Sequence, residues 1–310
     1  MFGKISFFGY NNNMKIDIAI IGAGPAGLTA GIFTSRAGLK TVCFEKLAIG
    51  GQAALSYEIA NYPGFESISG FDLTQKMHAQ AESCGTTFIY ESVKKLKKLK
   101  NGFSIQTTEN RYLAGKIIIA CGCKTRKLGL ENELQLTGRG ISYCASCDGG
   151  FFKNKVVAVV GGGNTAVEDV KYLARIAKKV YLINRSQKFR AGNHTIEQLK
   201  KFKNLEIIKN AQVKKLFGAE KLEKISVLID KETKDIKVDG LFIAIGYEPD
   251  LSFLDIDVKL DKYGYILVDE KMRTNVDDLF ACGDITGKSF KQVITACADG
   301  AIAGNSCIEN

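Results

Sequence analysis

Apolar positions fall into the same order twice along this chain. A strand from Ile16 to Ile21 runs into a glycine turn, a helix through about Ala37 and a second strand from Thr41 to Phe44. The order returns as a strand from Val156 to Val160, a turn at Gly161, a helix through about Ala177 and a strand from Val180 to Ile183. Short strands with turn residues follow each unit, over 93–108 in the first and 211–229 in the second. Each module then closes on an apolar run into glycine, Ile117 to Gly122 and Leu241 to Gly246. Strand, helix and strand in that order predict βαβ units. The expected fold is therefore α/β, with two Rossmann-like, three-layer dinucleotide-binding domains.

The last segment, from about Leu254, starts no third module. It holds Asp278-Leu279-Phe280-Ala281-Cys282-Gly283-Asp284 and then a helix from about Gln292. A strand ending in Gly-Asp beside a helix start suits a second contact with the first nucleotide, so the second module is expected to be inserted into the first. The boundaries read as a tail over 1–13, a first module over 14–124 and 253–310, and a second over 125–252. The crossings fall near Lys124–Leu128 and Pro249–Phe253. With 3 prolines and no low-complexity stretch, they are expected to be short hinges.

Composition narrows the class without changing this picture. The 310 residues allow two ordinary domains, and 45% hydrophobic with 25% charged residues is the balance of a soluble globular protein. No apolar run reaches membrane-spanning length and no signal peptide is read, so a cytoplasmic protein with no membrane partner is expected. Met1 to Asn13 reads as a loose tail or an over-long start without function. The net charge of +10 is dispersed. Its densest run, Lys94 to Lys100, alternates with apolar residues and ends in an Asn101-Gly102 turn, the outer face of a hairpin strand. No nucleic-acid partner is expected; the charge favours anionic cofactors and an acidic protein partner.

Nine cysteines form no secreted framework. Cys144-Ala145-Ser146-Cys147 is a Cys-x-x-Cys pair, catalytic or metal-binding in a cytosolic chain. Zinc is the lesser alternative, because Cys121, upstream with Cys123, is expected to close the strand from Lys116 to Ala120 at a buried position. Cys43, Cys84, Cys282, Cys297 and Cys307 read as small core residues. His78 and His194 lie near no nucleophile motif and receive no catalytic role. Asp148 follows the pair and is a candidate proton donor and acceptor for the emerging thiolate; without the pair it would read as a turn residue.

The glycine turns carry the rest. Gly22-Ala23-Gly24-Pro25-Ala26-Gly27 follows a strand, opens a helix and has Glu45 about twenty residues on, placed to accept from an adenosine ribose. In the second module, Gly161-Gly162-Gly163-Asn164-Thr165-Ala166, the same offset lands on Asn184, followed by Arg185 and Arg190. Losing the carboxylate and gaining guanidinium groups suits a ribose 2′-phosphate, hence NADPH, with Ser186 and Lys188 as possible additions to that pocket. Exposed arginines on a loop are the bland reading. Two nucleotide sites and a dithiol together describe an electron path from nicotinamide to flavin to disulfide.

These residues together resemble the low-molecular-weight bacterial thioredoxin reductases over about Lys15 to Ile308. The family's flavin loop matches Gly50-Gly51-Gln52, its Asn-Tyr-Pro-Gly matches Asn61-Tyr62-Pro63-Gly64, and its Cys-Ala-x-Cys-Asp matches Cys144 to Asp148. Its C-terminal Gly-Asp and Arg-Gln match Gly283-Asp284 and Lys291-Gln292. The sequence departs at Asn184-Arg185-Ser186-Gln187-Lys188-Phe189-Arg190, where the family has His-Arg-Arg-x-x-x-Arg, and at Lys291, which keeps the charge of an arginine but not its planar fork. Cys121 stands where the family usually has threonine.

The resemblance implies FAD, a homodimer and thioredoxin as partner. FAD is expected at Gly22, Gly24, Pro25, Ala26, Glu45, Gly51, Gln52, Asn61, Ala120, Gly122, Gly283, Asp284, Lys291, Gln292 and Val293. NADPH is expected at Gly161, Gly163, Asn164, Thr165, Arg185, Ser186 and Arg190. Cys144, Cys147 and Asp148 are the expected catalytic residues, and no metal is expected. The resemblance also implies rotation of the pyridine-nucleotide domain about the two crossings. The activity expected is NADPH-linked reduction of thioredoxin. A ferredoxin- or NADH-fed disulfide reductase, a small-molecule dithiol oxidase and a non-enzymatic flavin redox sensor are the alternatives.

Overall fold

The computed structural model describes residues 15–56, 58–288 and 290–309, so the expectation for the first thirteen residues lies outside it. The chain divides into two compact units. Lys124–Glu248 form one; the described residues up to Cys123 and from Pro249 form the other.

In the first unit, β1 (Lys15–Ile21) leads through α1 (Pro25–Arg36) to β2 (Thr41–Phe44), and α2 (Gly70–Ser83) leads to β3 (Thr87–Ile89). A hairpin of β4 (Val93–Lys98) and β5 (Phe103–Thr107) precedes the long β6 (Arg111–Ile119). Strands β1, β2 and β3 pair in parallel, and β1 also pairs in parallel with β6. Such strands are covered on both faces, which is why the consecutive residues Ile18, Ala19, Ile20 and Ile21 are all buried. In β4 the lysines point out while Leu96 is fully buried, as an alternating hairpin strand requires.

In the second unit, β7 (Ile141–Ser142) leads to α3 (Ala145–Asp148), β8 (Val156–Val160), α4 (Asn164–Leu173) and β9 (Lys179–Ile183). Next come β10 (Leu205–Ile208), the antiparallel meander β11 (Ala211–Phe217), β12 (Lys224–Ile229) and β13 (Glu232–Lys237), and then β14 (Gly240–Ile243). The parallel sheet runs β10-β9-β8-β14-β7. Helix α4 is shorter than its apolar pattern suggests. The carbonyls of Ala174 and Ala177 are capped by the Asn204 amide, at 3.0 and 2.9 Å, instead of continuing the helix.

The chain then returns to the first unit as β15 (Leu279–Ala281) and α5 (Val293–Glu309). β15 pairs in parallel with the second half of β6, whose first half pairs antiparallel with β5. Helices α1 and α5 meet almost backbone to backbone: a Cβ at Gly300 would lie 2.1 Å from the Ala26 carbonyl oxygen. Only glycine allows that approach, and it brings the Gly283-Asp284 turn beside the start of α1.

One expected position needs correction. Cys121 does not close a buried strand: β6 ends at Ile119, and Cys121 lies two residues beyond it, half-buried. Cys84 is also only half-buried, while Cys43, Cys282, Cys297 and Cys307 lie in the interior.

Candidate functional site

The first glycine turn is forced by its surroundings. Gly22 has φ +104°, and a Cβ there would lie 2.6 Å from the Ala120 carbonyl oxygen. Gly24 caps α1 without a side-chain hydrogen bond, with open space around its Cβ position, and Pro25 follows at the first helical position. The free amides of this helix start are a ready anion site. Glu45, at the end of β2, accepts from Ala23 N–H and Leu47 N–H, each at 2.9 Å, so it is pinned to the turn.

The remaining flavin candidates come from further segments of the same unit. Gly50 N–H donates to the Ala23 carbonyl at 2.8 Å, and Gly51 backs onto Gly24; Gln52 follows in the exposed part of that loop. Gly283 packs against Ala26. Asn61 Nδ2 donates to Gln292 Oε1 at 3.0 Å, joining two residues far apart in sequence, just before Val293 opens α5. Gly122 has φ +61° and open space at its Cβ position.

Lys291 Nζ donates to the Asp284 carbonyl at 2.8 Å and stands 3.4 Å from the centre of the Tyr265 ring. Burial lowers its pKa. Burial likewise raises that of the Asp284 carboxyl, against the pull of Lys288 and Lys291. Asp284 Oδ1 is buried with no hydrogen-bond partner among the described residues. The Asp284 side chain is itself only partly buried and follows Gly283, which packs on Ala26 in the first turn of α1, a placement that fits a sugar hydroxyl beside a pyrophosphate on one extended cofactor. Every flavin candidate lies in the first unit.

The second glycine turn is built the same way and closed by different chemistry. A Cβ at Gly162 would lie 2.3 Å from Asn184 Oδ1. Gly163 caps α4, which Asn164 and Thr165 open. The buried Asn184 turns its amide inward, donating to the carbonyls of Ser186 at 2.7 Å and Lys188 at 3.1 Å. Arg190 N–H donates to the Gly162 carbonyl at 2.7 Å. The loop from Arg185 to Arg190 is thereby folded against the glycine turn. Arg185, Ser186 and Arg190 are exposed, and neither arginine makes an ion pair with a described residue.

In the same unit Cys144 and Cys147 form a disulfide, with Cα atoms 5.4 Å apart. Cys144 Sγ caps α3 by accepting from Cys147 N–H at 3.2 Å. Cys147 is exposed and Cys144 half-buried. Ser142 Oγ organises the turn. It lies 2.7 Å from Asp148 Oδ2 and accepts from Cys144 N–H at 3.0 Å. Below the turn, Gly149 packs on the side chains of Tyr172 and Leu173 from α4. Asp169, also on α4, receives the Ala145 N–H, and burial raises its pKa to about 7. Upstream, the buried Glu133 accepts from Leu128, Gly129 and Leu130 amides and from Tyr143 Oη at 2.7 Å.

Sequence reasoning missed Ser142, Asp169 and Glu133 around the dithiol, and Lys288 and Asp299 around Asp284. The available signal for Asp299 was an acid in the middle of a helix that is apolar or small-residue from Val293 to Gly304. Asp169 lies one residue after Glu168 and shows nothing of its burial in sequence.

A disulfide on a short helix and two glycine-turn nucleotide folds define a class. Residues 16–300 match the pyridine nucleotide-disulphide oxidoreductases, and the chain belongs to this family. It is an oxidoreductase acting on disulfides, with a flavin and a pyridine nucleotide as cofactors. Within the family it is similar to bacterial thioredoxin reductases. It is 42% identical over 294 residues to that of Listeria monocytogenes, covering 94% of this chain and 92% of the relative. It is 41% identical over 296 residues to that of Bacillus subtilis, covering 94% and 93%. The crystal structure of Lactococcus lactis thioredoxin reductase in its FR conformation matches with a TM-score of 0.91 at 35% identity, over 95% of this chain and 98% of that one.

Proposed function

We propose that the protein is a thioredoxin-disulfide reductase that takes electrons from NADPH and uses FAD, acting as a cytoplasmic homodimer. The observation that carries the reading is the Cys144–Cys147 disulfide with Asp148 held at 2.7 Å by Ser142. Bound FAD would supply the two-electron relay between the pyridine nucleotide and this disulfide. The Gly22–Gly27 turn would hold its pyrophosphate, Glu45 its adenosine ribose and Asp284 a sugar hydroxyl. Arg185 and Arg190 would take the 2′-phosphate of NADPH, with Gly161, Gly163, Asn164 and Thr165 lining its pyrophosphate.

Two electrons and two protons convert the disulfide to a dithiol. One thiolate then attacks the partner disulfide, releasing one partner thiol and forming a mixed disulfide. The second cysteine resolves it, which frees the second partner thiol and restores Cys144–Cys147. Asp148 would relay a proton to the departing thiolate, and Ser142 fixes its side chain in place. The net charge of +10 favours an acidic protein partner.

An anaerobic titration tests the whole reading. NADPH should bleach the flavin, and added oxidised thioredoxin should restore its colour. Bleaching by reduced ferredoxin alone favours the ferredoxin-fed alternative. Reoxidation by oxygen with a small dithiol, and none by thioredoxin, favours the oxidase.

A further inference from the structure

Behind Asp284 lies a charged triad that neither nucleotide fingerprint accounts for. Lys288 Nζ stands 2.6 Å from Asp299 Oδ2 and 3.8 Å from Asp284 Oδ1, the buried oxygen without a hydrogen-bond partner. Asp299 Oδ2 also accepts Gly283 N–H at 3.1 Å. The side chains of Lys288 and Asp299 are 18% and 14% exposed, so solvent screens them little. Asp299, on α5, therefore fixes two things at once: the ammonium and the peptide that leads into Asp284.

The charges that face Asp284 are Lys288, Lys291 and Asp299. Lys291 Nζ is turned to the Asp284 main-chain carbonyl, as is the Cys123 thiol at 3.1 Å. Lys288 is the cation near the carboxylate oxygen itself. Without it, two carboxylates would face each other in a partly buried site, and one would take a proton. A protonated Asp284 loses acceptor capacity.

We propose that Lys288, anchored by Asp299, is a positioning residue of the flavin site that keeps Asp284 ionised as an acceptor for the sugar hydroxyls of the flavin nucleotide. The inference rests on the flavin reading above. It also gives the two partners opposite signatures. Removing Lys288 leaves Asp284 beside a like charge, so its carboxylate is lost at higher pH. Removing the charge of Asp299 takes that like charge away and leaves the ammonium to Asp284 alone.

The test is the FAD dissociation constant of the holoprotein between pH 5 and 9, read by the fluorescence of released flavin. Lys288→Met is expected to weaken FAD ~10-fold or more near neutral pH, the scale of one charge-assisted contact. It should move the pH midpoint of binding upward, and Lys288→Arg should restore the wild-type profile. Asp299→Asn, nearly isosteric, should move the midpoint downward, and it carries the test alone if Lys288→Met does not fold. Both variants moving the midpoint in the same direction, or an unmoved midpoint in FAD-binding Asp299→Asn protein, overturns the inference alone. Wild-type protein that takes up no FAD overturns the flavin reading and the inference with it.

Discussion

Asn184 spends its side chain on its own loop. Its amide holds the Ser186 and Lys188 carbonyls, which leaves Arg185 and Arg190 exposed at the rim of the glycine turn. A carboxylate at that position would repel a 2′-phosphate, and a neutral amide does not. NADPH is therefore expected to be preferred over NADH. A charge-assisted hydrogen bond contributes roughly 1.5–3 kcal/mol, so Arg185→Ala should erode the preference by ~10-fold or more, while Ser186→Arg should sharpen it. Values of kcat/KM for both nucleotides in the three proteins decide the matter. Equal values for NADH and NADPH that neither substitution moves would mean the arginines do not read the phosphate. Asp148 makes a second claim at this scale. It is held by Ser142, and Asp148→Asn keeps the shape while removing the proton carrier. Turnover should fall ~10²–10⁴-fold, the usual span for a positioned acid or base. Unchanged turnover demotes Asp148 to a turn residue.

At the scale of elements, the dithiol stands on α4 through Asp169. That carboxyl sits under the Ala145 amide, and burial raises its pKa from the ordinary 3.8 to about 7. The native state then binds a proton that the unfolded chain releases. Its stabilising contribution is fully present below about pH 4 and is lost as pH rises through 7. Asp169→Asn keeps an acceptor for Ala145 N–H and removes the titration. It should stabilise the protein by ~1–3 kcal/mol at pH 8 and by less at pH 5. Urea midpoints at the two pH values check this; a shift that is the same at both would remove the buried carboxyl as its cause. The strands and glycine turns around this site were legible because their signals are local. The run from Val156 to Val160 is apolar throughout, and Gly161 must follow it. What was not legible depends on distant partners. Asn204 ends α4 by capping carbonyls some thirty residues earlier in the chain. The two halves of β6 pair with different strands, and Lys288 meets Asp299 across eleven positions that no local pattern marks.

For the whole molecule, the division of labour follows the chain's two units. All the flavin candidates lie in the unit that contains both ends of the described chain, and the dithiol and the pyridine-nucleotide candidates lie in Lys124–Glu248. Reduction of the flavin and reduction of the protein substrate are then separable functions. Cys144→Ser and Cys147→Ser should each abolish thioredoxin reduction, because one sulfur alone can neither form the disulfide that takes up the electrons nor resolve a mixed disulfide with the partner. Each should leave flavin bleaching by NADPH within a few-fold of wild type, because no residue of the pyridine-nucleotide turn or of the Gly22 cradle is touched. Neither variant should unfold, since α3 is a single short turn and the serine hydroxyl at position 144 can still accept from the amide of residue 147. Stopped-flow absorbance of the flavin, beside a thioredoxin-coupled assay on the same preparations, measures both functions. Loss of bleaching together with loss of thioredoxin reduction would mean that the disulfide is needed before the flavin is reduced, and the proposed order of electron flow would be wrong.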